Sequence, residues 1–243
     1  MEYQELLASL FNNSDNHQEV VEALAKHTEG LYRNDLLYKF NLKGGGGITT
    51  IFEKLESSGF IARTIPYGNA KKDLLFKIKD QYMVFYLRCI KDSKPQQRSM
   101  WSRIAGTPSY QSWSGLTFEN ICRGHIERIK LALNLSAIIT NAGAWQSRGD
   151  QVMTGAQVDL LIDRDDNVIN LCEIKFSTTP FTITNDYANK LRLKVASFNH
   201  HTKNRKAIFL TLITTFGLTE NIHSKELIQN VITLKDLFKK IRK

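Results

Sequence analysis

The sequence predicts an α/β protein in two parts, a helical segment closed by a β-hairpin and then a domain in which strands alternate with helices. Three observations carry this expectation. Apolar residues recur at helical spacing between residues 17 and 57. Two strand-like runs surround the turn pair Gly68-Asn69. Beyond residue 115, β-branched runs alternate with amphipathic helical patterns.

The 243 residues are 42% hydrophobic, enough to bury a core and to form one or two domains. No apolar run is long enough for a membrane span. The N-terminus, MEYQELLASLF, is acidic and amphipathic and does not fit a secretory signal. Cys89, Cys122 and Cys172 are scattered without CxxC spacing, the pattern of buried thiols in a reduced, cytoplasmic protein. Residues 1–90 hold 11 Lys/Arg and 11 Asp/Glu, whereas residues 91–243 hold 22 and 13 and account for the whole net charge of +9. A basic half fits an anionic partner, nucleic acid first, and it also fits simple solubility.

In the first part, HQEVVEALAKHT (17–28) is a helix with Val20, Val21, Leu24 and Ala25 on its buried side and Gly30 as its C-cap. A short second helix covers 33–40, with Leu36, Leu37 and Phe40 apolar, and a third runs from Gly47 to Ser57 on Ile48, Ile51, Phe52 and Leu55. FIARTIPYGNAKKDLLFKI then reads as two strands with a turn at Gly68-Asn69. Three helices followed by a hairpin is the element order of a winged helix-turn-helix, expected over residues 1–90. Its basic face would carry Lys43, Arg63, Lys71 and Lys72, with Lys43, Lys71 and Lys72 the candidate nucleic-acid contacts. The same domain could serve for packing alone. The glycine run Gly44–Gly47 is followed by Ile48 and not by Lys-Ser/Thr, so it is the turn into the third helix and not a phosphate loop. QYMVFYLRCI (81–90) reads as an aromatic-rich helix, and residues 91–115, polar and basic with Pro95, Gly106 and Pro108, as a linker.

Residues 116–243 form the second domain. LTFENICRGHIERIKLAL is expected as one helix with Phe118, Ile121, Ile126, Ile129 and Leu133 on one stripe, followed by a strand at SAIIT and a loop over 143–154. After Pro180, NDYANKLRLKVASFNHH is a helix that buries Tyr187, Leu191, Val195 and Phe198 and turns Lys190, Arg192 and Lys194 largely outward. His200 and His201 read as a surface loop without ligand partners. KAIFLTLITT is a central strand, and VITLKDLFKKIRK a short strand with a basic helix.

Between these lie QVDLLID and NVINLCEIKF, two apolar runs joined by the turn RDDN and interrupted by Asp159, Glu173 and Lys175. A hairpin centred on Asp166 pairs residues whose numbers sum to 332, as those of Asp159 and Glu173 do. Their Cβ atoms would then lie about 5 Å apart, with Lys175 on the same face. Two close carboxylates repel unless a cation sits with them. Magnesium suits such hard oxygen donors, and with a neighbouring lysine it supports phosphodiester hydrolysis. A structural Asp–Lys–Glu ion-pair cluster fits the same spacing.

Asp159, Glu173-Ile174-Lys175 and an upstream acidic helix residue, Glu119, resemble the PD-(D/E)XK nuclease superfamily. More narrowly, GAQVDLLIDRDDNVINLCEIKFS resembles the C-terminal region of predicted AAA-like, DEXX-box bacterial and archaeal ATPases, in which a P-loop ATPase is followed by a winged helix and a nuclease-like domain. The resemblance runs from about residue 5 to the C-terminus. It implies a restriction-endonuclease-like fold, a magnesium-dependent (or manganese-dependent) DNA nuclease, and a site in which Glu119, Asp159 and Glu173 hold the metal and Lys175 assists attack. It also points to Lys190 as a phosphate contact, although a solvated basic face explains Lys190 as well. No Walker A motif and no ATPase domain occur in this chain. A non-catalytic DNA-binding or regulatory module, or a partner module of a separate P-loop ATPase, therefore stands beside the enzyme reading.

Overall fold

The computed structural model describes residues 2–10, 15–27, 29–39, 46–69, 73–91 and 100–239. Lys43, Lys71, Lys72, Gly44, Gly45 and Phe40 lie outside the described residues. The chain divides into two compact units, Met1–Ile65 with Ala70–Thr117, and Pro66–Asn69 with Phe118–Lys243. No helix among the described residues is long and apolar enough to cross a membrane.

The first unit comprises α1 (Glu2–Leu10), α2 (Asp15–Lys26), β1 (Leu31–Tyr32), α3 (Arg33–Lys39), α4 (Gly46–Ser57), β2 (Ile61–Thr64), β3 (Leu75–Ile78) and α5 (Gln81–Phe85), which passes into a π-helical turn, Tyr86–Ile90, and is followed by α6 (Met100–Ile104). The expected hairpin is present, and Leu31–Tyr32 adds a short third strand in the order β1-β3-β2, all antiparallel. Leu24, Leu36, Leu55, Ile61 and Phe76 form the core, with Phe52 stacked on Phe76 at 4.4 Å. The π turn places Arg88 so that its Nε and Nη2 donate to the Ala25 carbonyl at 3.2 and 2.7 Å, satisfying an orphan acceptor at the end of α2.

The linker expected over 91–115 is replaced in its described part by α6 and by α7 (Pro108–Gly124), and the chain belongs to the first unit as far as Thr117. Aromatic packing explains the difference. Trp113 meets Phe85 at 5.0 Å and donates Nε1–H to the Gln81 carbonyl at 2.9 Å, while Trp101 and Tyr110 pack edge-on at 5.4 Å. Proline is tolerated at the first position of α7, where the Thr107 hydroxyl accepts from Tyr110 N.

The second unit takes the last turns of α7, then α8 (Ile126–Ala132), β4 (Thr140–Gly149), β5 (Thr154–Arg164), β6 (Val168–Lys175), α9 (Asn185–Thr202), β7 (Ala207–Thr214), α10 (Ile222–Leu227), β8 (Asn230–Thr233) and α11 (Leu234–Leu237). Its five-stranded mixed sheet has the order β4-β5-β6-β7-β8. The first three strands form an antiparallel meander, and β6, β7 and β8 are parallel, joined by crossovers through α9 and α10. The helix expected across 116–133 is broken at Gly124-His125, where the imidazole Nδ1 lies 2.8 Å from the Ile121 carbonyl and takes up an acceptor freed at the helix end. Of the expected strand at SAIIT only Thr140 is strand, the first residue of β4, and the expected loop over 143–154 is largely strand, because β4 pairs along β5 with a bulge between Gly143 and Trp145. Two apolar layers result. Leu160, Ile162, Cys172 and Ile174 pack with Phe118, Cys122 and Ile129. Leu161, Ile169 and Leu171 pack with Leu191 and Phe198 of α9.

Gly30 joins α2 to β1 at φ +94°, and a Cβ there would lie 2.8 Å from both the Phe76 carbonyl oxygen and Lys77 Cγ. Left-handed backbone and contact with main chain act together. Gly30→Ala is therefore expected to lower stability by about 2 kcal/mol or more in chemical denaturation; an unchanged midpoint would show that the α2–β1 joint has room for a side chain.

Candidate functional site

The site begins with the hairpin β5–β6. Its observed pairs run from Asp163↔Ile169 to Leu160↔Cys172, so paired numbers sum to 332 as the turn predicts. Asn167 takes φ +63° in the turn, a conformation that asparagine tolerates better than most residues. The next step of this register is Asp159 with Glu173. There the Asp159 side chain enters the ladder, and its Oδ2 accepts from Ile174 N at 3.1 Å. Asp159 and Glu173 are 8% and 4% exposed, and the odd-numbered residues of β6 face α9, as Ile169 and Leu171 show.

Both oxygens of Glu173 are engaged. Oε1 accepts from Tyr187 Oη at 2.5 Å and pairs with Lys175 Nζ at 3.0 Å, and Oε2 pairs with Lys194 Nζ. Tyr187 and Lys194 are seven residues apart on α9, two turns, and so project from one face of the helix. The outward orientation expected for Lys194 is thus corrected: its ammonium reaches in to Glu173, where a buried carboxylate supplies the partner that solvent would otherwise provide. Lys190, one turn before it, is exposed. Helical periodicity marks Tyr187 as buried, but a hydrophobic pattern cannot register that its hydroxyl meets a carboxylate. Lys194 lies on the margin of the apolar stripe, and only the burial of Glu173 explains its direction.

The electrostatics separate the two acids. Burial, with repulsion from Glu173 and then Glu119, pushes the Asp159 carboxyl up to about 6, against the pull of Lys194 and of Ile174 N–H. Burial also works against the charge on Glu173, but Lys194 and Lys175 outweigh it and hold that carboxyl below its ordinary value. A proton entering the pair therefore goes to Asp159. Burial disfavours the Lys175 ammonium, and the Glu173 carboxylate more than offsets this, raising its pKa. Lys175 is a cation at neutral pH, paired with Glu173 and not with Asp159. Glu119, in the last turns of α7, bonds Arg123 Nη2 at 3.0 Å.

The donor set suits a divalent cation in kind, since three carboxylates supply hard oxygen ligands and Asp159 carries charge that burial disfavours. As arranged, Lys175 and Lys194 neutralise Glu173, and a cation would displace at least one of them. Among the described residues, the one group of three metal-ligating side chains whose ligand atoms all lie within 4.8 Å of one another is elsewhere, at Asp150, His200 and His201. The two histidines are not in a surface loop but in the last turn of α9, beside the β4–β5 turn.

No family model and no curated protein matches the chain. A solved structure of a protein of unknown function, AF1548, is similar at 16% identity with a TM-score of 0.32; the match covers 44% of this chain and 52% of that one, so the chain spans about half the length of the structure it matches. At that TM-score the likeness bears on neither fold nor function.

Proposed function

We propose that the chain is a metal-dependent, cytoplasmic nuclease hydrolysing DNA phosphodiester bonds, its second unit a restriction-endonuclease-like domain of the PD-(D/E)XK kind and its first a winged helix. The observation that carries this reading is the meeting of two buried acids, Asp159 and Glu173, with the half-buried Lys175 where β5 and β6 part, beside Tyr187 and Lys194 of α9. Strained charge in a fold is a marker of functional sites, and the carboxyl end of a parallel strand, here β6, is where α/β sheets place ligands.

Glu119, Asp159 and Glu173 would hold Mg2+ or Mn2+, which when bound orients water and offsets charge on the phosphate. Lys175 remains protonated and so acts by its charge, stabilising negative charge as it develops, and not as a base. Lys194, paired with Glu173 in the structure, would be a second cation for the same phosphate once a metal took its place. Lys190 and, in the first unit, Lys43, Lys71 and Lys72 would contact the backbone. Arg63, expected with them, is paired with Glu56 at 3.0 Å, which weakens its claim.

A second reading rests on a specific observation. Glu173 is already satisfied by two ammonium groups and a phenol, as in a purely structural cluster. The chain would then be a non-catalytic DNA-binding module or a partner of a separate P-loop ATPase.

Cleavage decides first. Duplex, nicked and single-stranded DNA incubated with the protein should be cut in Mg2+ or Mn2+ and left whole in EDTA, and Glu173→Gln should reduce the rate by at least 100-fold; no product from any of these substrates would rule out the enzyme. Affinity for a random duplex should fall steeply with salt, since phosphate contacts release counterions, whereas a flat response would rule out the basic half as a DNA surface.

Asp159→Asn separates metal site from scaffold. The Asp159 pKa is higher folded than unfolded, so the native state favours its proton: the cost of ionising it is absent below about pH 4, grows as pH rises, and is complete above about pH 6. Without metal, Asp159→Asn should thus equal wild type near pH 4 and exceed it by about 3 kcal/mol at pH 7. Mg2+ should then raise the melting temperature of wild type and leave the variant unmoved; a wild type indifferent to Mg2+ favours the scaffold.

A further inference from the structure

We propose that Asp150, His200 and His201 form a second, separate metal site, selective for a borderline transition-metal ion of the zinc class, at the joint between the β4–β5 turn and the C-terminal end of α9. It is independent of the nuclease reading.

The carboxylate is aimed before any ion arrives. Asp150 Oδ1 accepts from Val152 N and Met153 N, both at 2.8 Å, and Asp150 N donates to the Met153 carbonyl at 2.9 Å. Oδ2 is left facing the helix, 2.9 Å from His200 Nε2 and 3.7 Å from His201 Nδ1. The three ligand atoms lie within 4.8 Å of one another. Adjacent helix positions point about 100° apart, and the two consecutive histidines present different ring nitrogens to the carboxylate, with rings 4.9 Å apart and nearly perpendicular at 86°.

The two elements that carry the ligands are tied together. Ser197 Oγ donates to the Thr154 carbonyl at 2.8 Å, and Trp145 of β4 packs edge-on against Phe198 at 5.1 Å and beside His201 at 6.3 Å. The turn itself is tight: Gly149, at φ +84°, and Gly155 approach so closely that a Cβ on Gly149 would lie 2.4 Å from Gly155 N.

The donors decide the metal. Two imidazoles and one carboxylate suit zinc, cobalt or nickel, whereas magnesium wants oxygens. Zinc bonds of about 2.0–2.2 Å place ligands in a tetrahedron somewhat over 3 Å apart, between the two distances from Oδ2. Three protein ligands leave a fourth position for water, and Asp150 and His200 are exposed enough to admit the ion. One feature limits affinity. His201 Nε2 is buried without a hydrogen-bond partner among the described residues, so the site lacks an outer support that is worth roughly 10–100-fold in binding.

Cobalt is the probe that tests this, on the whole 243-residue chain stripped with a chelator. One equivalent should give the intense visible absorption of four-coordinate Co2+, which zinc then abolishes by displacement. The carboxylate cluster at Glu173 would hold cobalt only with oxygens, as a weakly coloured six-coordinate ion, so Glu173→Gln should leave the intense band intact. Asp150→Asn and His200→Gln, both at exposed positions, should each weaken cobalt binding at least tenfold with the melting temperature of the metal-free protein little changed. A wild type without the intense band, or a band that survives both substitutions, would overturn the assignment.

Discussion

Two carboxylates buried on neighbouring strands set the terms for the second unit. Asp159 and Glu173 cannot both be charged, dry and unpartnered, and the surrounding structure answers that constraint group by group. β5 and β6 part after Leu160↔Cys172, so that an Ile174 amide meets the Asp159 side chain. Lys175 turns back along its own strand to Glu173. Helix α9 lies over the sheet in the orientation that delivers a phenol and an ammonium to the same acid. The apolar residues around them, Leu161, Leu171 and Leu191, exclude the water that would otherwise solvate the charges, which makes each of these partners more important than it would be at the surface.

In the structure, ammonium groups neutralise Glu173 and the proton affinity of Asp159 is raised. Under the proposed function a divalent ion would sit with the acids instead, and the lysines would be released toward a phosphate. The residue types serve both, because lysine is a flexible point charge. An arginine fork in its place would hold the carboxylate bidentately and resist exchange.

The parts of this architecture that were legible in the sequence are those governed by local rules. The β5–β6 register follows from one turn and the two-residue period of a strand, and α2, α4 and α9 follow from apolar spacing. The rest depends on partners distant in the chain. β4 contains Gly143, Ser147 and Gly149 and resembles a loop until β5 pairs with it. Trp101, Tyr110 and Trp113 sit in a stretch, 91–115, that reads as a linker because the partners Phe85 and Gln81 lie a dozen or more residues away. Lys194 looks like solvent-facing charge until Glu173 is placed beneath it. His200 and His201 look unpartnered because Asp150 is fifty residues earlier. Local pattern identified the acids on one hairpin; it could not identify what tertiary packing brings to them.

Helix α9 carries obligations along most of its length. Tyr187 and Lys194 answer to Glu173, Leu191 and Phe198 to the apolar layer, Ser197 to Thr154, and the two terminal histidines to Asp150. Each added residue in a helix turns everything beyond it by about 100° and advances it by about 1.5 Å. A single insertion or deletion between Tyr187 and His200 would therefore misdirect every later group at once, and a whole-heptad insertion would restore their direction only after carrying them some 10 Å past their partners. Substitution in this helix is expected to be tolerated best at outward positions such as Leu193, while a change of its length conflicts with the spacing of the sheet beneath it.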